Sequence, residues 1–107
     1  MAVYESGKSW VDRFIVLKVR GNGLGFSRCG FSATRHVGKA VARNRVRRLL
    51  KEAVRLTRIR PGYDVVFIAR PGSATADYHQ IKNSVEKLLR RARLLFDENE
   101  VVSTQVN

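Results

Sequence analysis

Cysteine is almost missing from this sequence: Cys29 is the only one among 107 residues. No internal disulfide can staple the fold, which fits a reducing compartment. Histidine is equally sparse. His36 and His79 stand far apart, so no zinc-type ligand spacing exists and neither has a nucleophile or acid partner beside it. Paired carboxylates at useful spacing and a phosphate-cradling glycine loop are also absent. These gaps argue against intrinsic hydrolysis by the chain. No run approaches the roughly 20 apolar residues that span a bilayer, and the N-terminus carries no signal-peptide core. The sequence predicts a cytoplasmic protein with no membrane segment.

Acidic residues are scarce too. Nine Asp and Glu face 21 Lys and Arg, for a formal charge of +12 and a pI near 11.1. A field this positive around so small a body calls for a polyanion, and nucleic acid is the leading class because phosphate neutralisation releases condensed counterions. A membrane surface is the weaker alternative. The 44% hydrophobic share is that of a folded domain rather than of a disordered basic tail. The length suits one domain over residues 1–107, with a short N-terminal segment at 1–9 and a frayed tail at 97–107.

Residues 1–9 are polar, broken by Gly7, and read as the end of a helix. A strand is predicted over 13–20 (RFIVLKVR), followed by a turn at Gly21-Asn22-Gly23. A second strand is predicted over 27–34, with Cys29, Phe31 and Ala33 on its buried side and Arg28, Gly30 and Ser32 on the other. Cys29 is thereby expected in the core. Over 39–58 the period becomes helical. Ala42, Val46, Leu49, Leu50, Ala53 and Val54 gather on one arc, and Arg47, Arg48, Lys51, Arg55 and Arg58 on the opposite one. Pro61-Gly62 is the predicted stop. The run at 63–70 (YDVVFIAR) reads as a buried central strand ended by Pro71-Gly72. A last helix starts near Thr75 or Asp77, with Tyr78, Ile81, Val85, Leu88, Ala92 and Leu95 as its packing stripe. Strand, strand, helix, strand, helix is an α+β order, with helices packed on a small sheet.

The strongest chemical signal is the segment Lys39-Ala40-Val41-Ala42-Arg43-Asn44-Arg45-Val46-Arg47-Arg48, continued by Lys51, Arg55 and Arg58 with Glu52 as its only acid. Solvated helix faces usually alternate signs to gain i,i+4 pairs, whereas these like charges repel. Guanidinium forks repeated along one face can instead track phosphates. Asn44 among them can meet a base edge or a 2′-hydroxyl, and is equally at home near a helix end. A second cluster, Lys87, Arg90, Arg91 and Arg93, sits with Glu86 on the last helix and fits an ordinary solvated face as well as a binding role. Tyr4, Trp10 and Phe14 are aromatics able to stack on bases, although each is more often core.

Gly38 to Arg48, centred on Arg43-Asn44-Arg45, resembles the RNR motif of bacterial ribonuclease P protein subunits. Gly7-Lys8-Ser9, Arg28-Cys29-Gly30-Phe31-Ser32 and the segment from Tyr63 to Arg70 extend the likeness over roughly residues 3–96. The resemblance implies a fold similar to ribosomal protein S5 domain 2, with a helix-on-mixed-sheet α+β architecture and a left-handed βαβ crossover. It implies a ribonucleoprotein in which a catalytic RNA hydrolyses the 5′ leader from precursor tRNA, using Mg²⁺ bound mainly by the RNA. The protein subunit, monomeric without RNA, would support that RNA and hold the leader. On this likeness Arg43, Asn44, Arg45 and Arg48 face the catalytic RNA, with Arg43, Arg47 and Lys51 also near the leader, and the neighbouring cations Arg35, Lys39 and Arg55 complete the expected RNA-contacting set. Tyr4, Phe14, Val16 and Lys18 would line the leader cleft, the last three from one strand face.

Three departures from the family pattern accompany the likeness. The family usually has a longer N-terminal helix with another cleft aromatic, Lys18 stands where some members carry an aromatic, and His36 stands where a second basic residue is common. His36 would add a pH dependence to any contact it makes. The runner-up class is a ribosomal or RNA-chaperone protein, which would show the same charge and fold. A protein-only nuclease and a membrane-active basic protein are further alternatives, and neither of these two has a supporting motif.

Overall fold

A computed structural model describes residues 7–96, and the elements below lie within them. Four strands, β1 (Lys8–Val11), β2 (Ile15–Gly21), β3 (Arg28–Ser32) and β4 (Tyr63–Ala69), form one mixed sheet in the order β1-β2-β4-β3. β2 is antiparallel to both neighbours, and β3 lies parallel to β4. Helix α1 (Ala40–Arg55) makes the crossover between those parallel strands, and α2 (Tyr78–Arg91) follows β4 after a 3-10 turn at Pro71–Thr75.

Alternation decides which side of the sheet is covered. Ile15, Leu17 and Val19 of β2 and Val65, Phe67 and Ala69 of β4 are buried, and the register sets them side by side on one face. Both helices pack there. Val46, Leu50, Ala53 and Val54 of α1 meet Ile81, Val85, Leu88 and Leu89 of α2 in the same core. α1 touches β3 and β4, while α2 touches β1 and β2, so each helix covers one half of the sheet.

β1 is an addition to the predicted order of elements. Only Trp10 in it is partly buried, so its four residues carry little alternation. Pairing with β2 makes it a strand, and Asp12 fastens the hairpin by accepting the Phe14 and Ile15 amides at 2.9 and 3.0 Å. The Gly21-Asn22-Gly23 turn also leads elsewhere than to a neighbouring strand. Gly23 takes φ +70°, Asn22 Oδ1 accepts the Leu24 amide at 2.7 Å, and the chain passes β4 to reach the far edge.

Three further expectations change. α1 ends at Arg55, well before Pro61, because Thr57 Oγ1 and Lys82 Nζ of α2 donate to the Ala53 carbonyl at 2.7 and 3.2 Å and so satisfy a helix end early. β4 is central but covered on one side only, leaving Val66 and Ile68 partly open. Cys29 does share the helix-facing side with Val65, yet it is exposed, because β3 is an edge strand. Its neighbours still desolvate the sulfur enough to raise the thiol pKa. Asp77, of the two candidates, caps α2. Its side chain accepts the Gln80 amide at 2.8 Å, and Gln80 Oε1 accepts the Asp77 amide at 3.0 Å.

Candidate nucleic-acid interface

α1 and the loop before it present the cations. The apolar arc of α1 is fixed in the core, which leaves Asn44, Arg45, Arg48, Lys51 and Arg55 exposed and Arg43 and Arg47 half-buried at the border. Lys39 is the N-cap residue and makes no side-chain cap, and the first turn holds no acid. Positive charge at the positive end of a helix dipole is locally unfavourable. An anion would relieve it.

The cationic residues fall into two groups. Arg45 donates to the Ala76 carbonyl at 2.8 Å and the Ala74 carbonyl at 3.4 Å, tying α1 to the 3-10 turn while the side chain stays exposed. Arg55 grips Glu52 through Nε at 3.1 Å and Nη2 at 2.5 Å, which lowers the Glu52 pKa. Arg47 donates to Asn44 Oδ1. By contrast, Arg35, Lys39, Arg43, Arg48 and Lys51 have no ion-pair partner among the described residues. Five cations on α1 and the loop before it thus lack an ion-pair partner among the described residues.

The second surface is the uncovered face of the sheet. Val16 and Lys18 of β2 align with Ile68 and Val66 of β4, which align in turn with Ser32 and Gly30 of β3. Together these make a partly exposed apolar strip with a lysine in it. Asp64 and Arg28 close one end, with Arg28 Nε and Nη2 each 2.8 Å from the carboxylate. β3 belongs to both surfaces, since α1 packs on its other side.

Of the residues expected in the leader cleft, the structure places Val16 and Lys18 together on this face. Phe14 precedes the strand and is partly buried against the core, with the Arg13 guanidinium 5.3 Å from its ring centroid. Tyr4 lies outside the described residues. Val66, Ile68 and Ser32 are the members that sequence reasoning missed. The uniformly apolar β4 run hid Val66 and Ile68, and Ser32 joins them only through the pairing of β3 with β4, which the sequence does not show. His36 is exposed, and His79 stands edge-on to Tyr78 at 6.1 Å. Among the described residues no three His, Cys, Asp or Glu side chains converge as a metal site.

The chain matches the family model for Ribonuclease P over residues 1–93. It is 49% identical over 100 residues to the ribonuclease P protein component of Caldanaerobacter subterraneus, covering 92% of this chain and 85% of that protein. The protein component of Dehalococcoides mccartyi is 38% identical over 105 residues, or 98% and 88% of the two chains. Among solved structures, the Staphylococcus aureus RNase P protein superimposes with a TM-score of 0.78 at 30% identity, covering 88% of each chain. The Thermotoga maritima RNase P protein gives 0.76 at 30% identity over 83% of this chain and 86% of that one. A cationic helix without a catalytic constellation, on this sheet and with these relatives, makes the chain a member of the ribonuclease P protein family.

Proposed function

We propose that the chain acts as the protein subunit of ribonuclease P by dividing two tasks between its two surfaces. As a family member it partners ribonuclease P RNA in an endoribonuclease that matures tRNA 5′ ends, with the catalytic role in the RNA. The cationic side of α1 holds that RNA. Arg43, Arg48, Lys51, Lys39 and Arg35 neutralise its phosphates, Asn44 and Arg47 reach it as a hydrogen-bonded pair, and Arg45 and Arg55 contribute from anchored positions. Arg43, Arg47 and Lys51 also approach the leader of precursor tRNA. The uncovered sheet face holds the leader itself, with Lys18 on a phosphate and Val16 against the sugars and bases. Phe14 borders this cleft, and Tyr4 is assigned to it by the family resemblance alone.

The observation that carries this reading is the set of five cations around α1 without an ion-pair partner among the described residues, in a chain of this family. Mg²⁺ belongs with the phosphates of the RNA. No helix among the described residues is long and apolar enough to cross a membrane. Reconstitution tests the proposal. Purified chain alone should leave precursor tRNA intact, and should stimulate cleavage by a bacterial ribonuclease P RNA at low Mg²⁺. Folded protein that gives no stimulation would refute it.

A further inference from the structure

A second basic region survives the assignment of α1. A groove of about 510 Å³ runs between the β1–β2 edge and the outer end of α2, on the opposite half of the sheet from α1. Its cationic walls include Lys8, Arg91 and Arg93, and no acidic residue lines it among the described residues. Arg20 borders it from β2, but its side of the strand is the uncovered face, where its charge acts on Asp64. Trp10 and Tyr63 also line it, both partly buried against the core. We propose that this groove binds a nucleoside phosphate, its phosphate held by Arg91, Arg93 and Lys8 and its base stacked on Trp10.

The geometry at Arg93 is the most specific support. The Ala92 amide donates to the Leu88 carbonyl at 3.0 Å and the Leu94 amide to the Leu89 carbonyl at 2.8 Å, so α2 closes with Arg93 just past its end at φ +60°. Glycine ordinarily fills that left-handed position, because a side chain there is strained. An arginine held there places a guanidinium beside the groove at the expense of a better helix end. The ordinary explanation for cations at a helix C-terminus is the macrodipole. That explanation covers Arg90 and Arg91 in the last turn, but not Lys8, which belongs to β1. Arg91 spends one donor on the Val11 carbonyl at 3.3 Å and keeps the rest of its fork. The volume suits a nucleotide-sized ligand, and an aromatic floor beneath cations is what stacking a base while pairing its phosphate requires.

The chain's single tryptophan is Trp10, so its fluorescence reports on this groove without labelling and without ribonuclease P RNA. The full chain is titrated with adenosine monophosphate and, separately, with a short single-stranded oligoadenylate. Saturable quenching by either is the expected result. Response to the mononucleotide assigns the groove to free nucleotides, and response to the oligonucleotide alone assigns it to a nucleotide within an RNA strand. The variant Arg93→Gly combined with Lys8→Gln should weaken that response about tenfold, the size of effect expected from losing charge-assisted contacts. Its thermal midpoint should not fall, because glycine suits the backbone at position 93. No quenching by either probe, or equal affinity in the variant and the parent, would overturn the proposal.

Discussion

α1 and α2 are of similar length, both amphipathic and both rich in cations, yet they treat their charges differently. In α2 the lower cations are absorbed by the protein. Lys82 bonds Thr57 Oγ1 at 2.9 Å and lies 3.6 Å from Glu86, and Lys87 lies 3.6 Å from Asp12. A full capping box opens this helix. α1 begins without a side-chain cap, and Arg43, Arg48 and Lys51 find no acid among the described residues. One helix is finished by contacts within the chain, whereas the other keeps cations without an acid among the described residues, which is the surface proposed to meet RNA. The contrast reaches into α2 itself, because past Lys87 the compensation stops and Arg91 and Arg93 open onto the groove.

The widest separation of the two regions should come from Asp12. Its side chain is only 6% exposed, and it accepts from the Phe14 and Ile15 amides and from the Ser84 hydroxyl at 2.5 Å. Asp12→Ala strands those donors and should lower unfolding free energy by about 2–3 kcal/mol, while correctly folded protein keeps its affinity for ribonuclease P RNA. Urea unfolding and RNA titration measure the two halves of that statement. Lost affinity at unchanged stability would erase the division of labour between the helices.

The converse test is smaller. Arg43→Ala and Arg48→Ala should each weaken assembly with ribonuclease P RNA by about 1–3 kcal/mol and flatten its salt dependence, with no loss of folding stability. Arg45→Ala should differ in kind. Its bonds to the Ala74 and Ala76 carbonyls predict about 1 kcal/mol of lost stability on top of weaker assembly. If all three variants behave alike, Arg45 is not a strut between α1 and the turn before α2.

How far the sequence foretold this arrangement depends on the range of the interactions involved. β2, β3, β4 and both helices were legible because burial stamps a period of two or 3.6 onto the residues themselves. β1 was not, since Lys8-Ser9-Trp10-Val11 becomes a strand through its partner rather than through its own pattern. Nor was the insertion of β4 between β2 and β3. Cys29 illustrates the same limit: its side of the strand could be read, but not the edge position that leaves it uncovered. For the site, the charge on α1 was plain. Which arginines were already engaged was not, because the partners of Arg45 lie about 30 positions away. The apolar strip of Val66 and Ile68 was hidden in a run that reads as buried on both sides.

The smallest expected effect concerns acid, and it lies away from both helices. Asp64 ties β4 to β3 and to the turn after β2. The Arg28 guanidinium first, and the Asn22 amide at 3.1 Å second, hold its carboxyl pKa down to about 2 from the ordinary 3.8. A carboxyl whose pKa is depressed on folding contributes stability above its unfolded value, and that contribution is lost as pH falls through the folded one. The window therefore runs from about pH 4 down to about pH 2. Asp12 titrates in the same sense. Burial alone would raise its pKa, but the Ser84 hydroxyl, the Phe14 and Ile15 amides and the Lys87 charge together lower it. Asp64→Asn should thus flatten the acid limb of a stability-against-pH curve without abolishing it, and Arg28→Ala should do the same by releasing Asp64 toward its ordinary pKa. Near neutral pH neither change should alter RNA affinity, because α1 keeps its charges. An acid limb unchanged in both variants would mean that the Arg28–Asp64 pair contributes nothing to folding, and would leave Asp12 as the carboxylate on which acid unfolding turns.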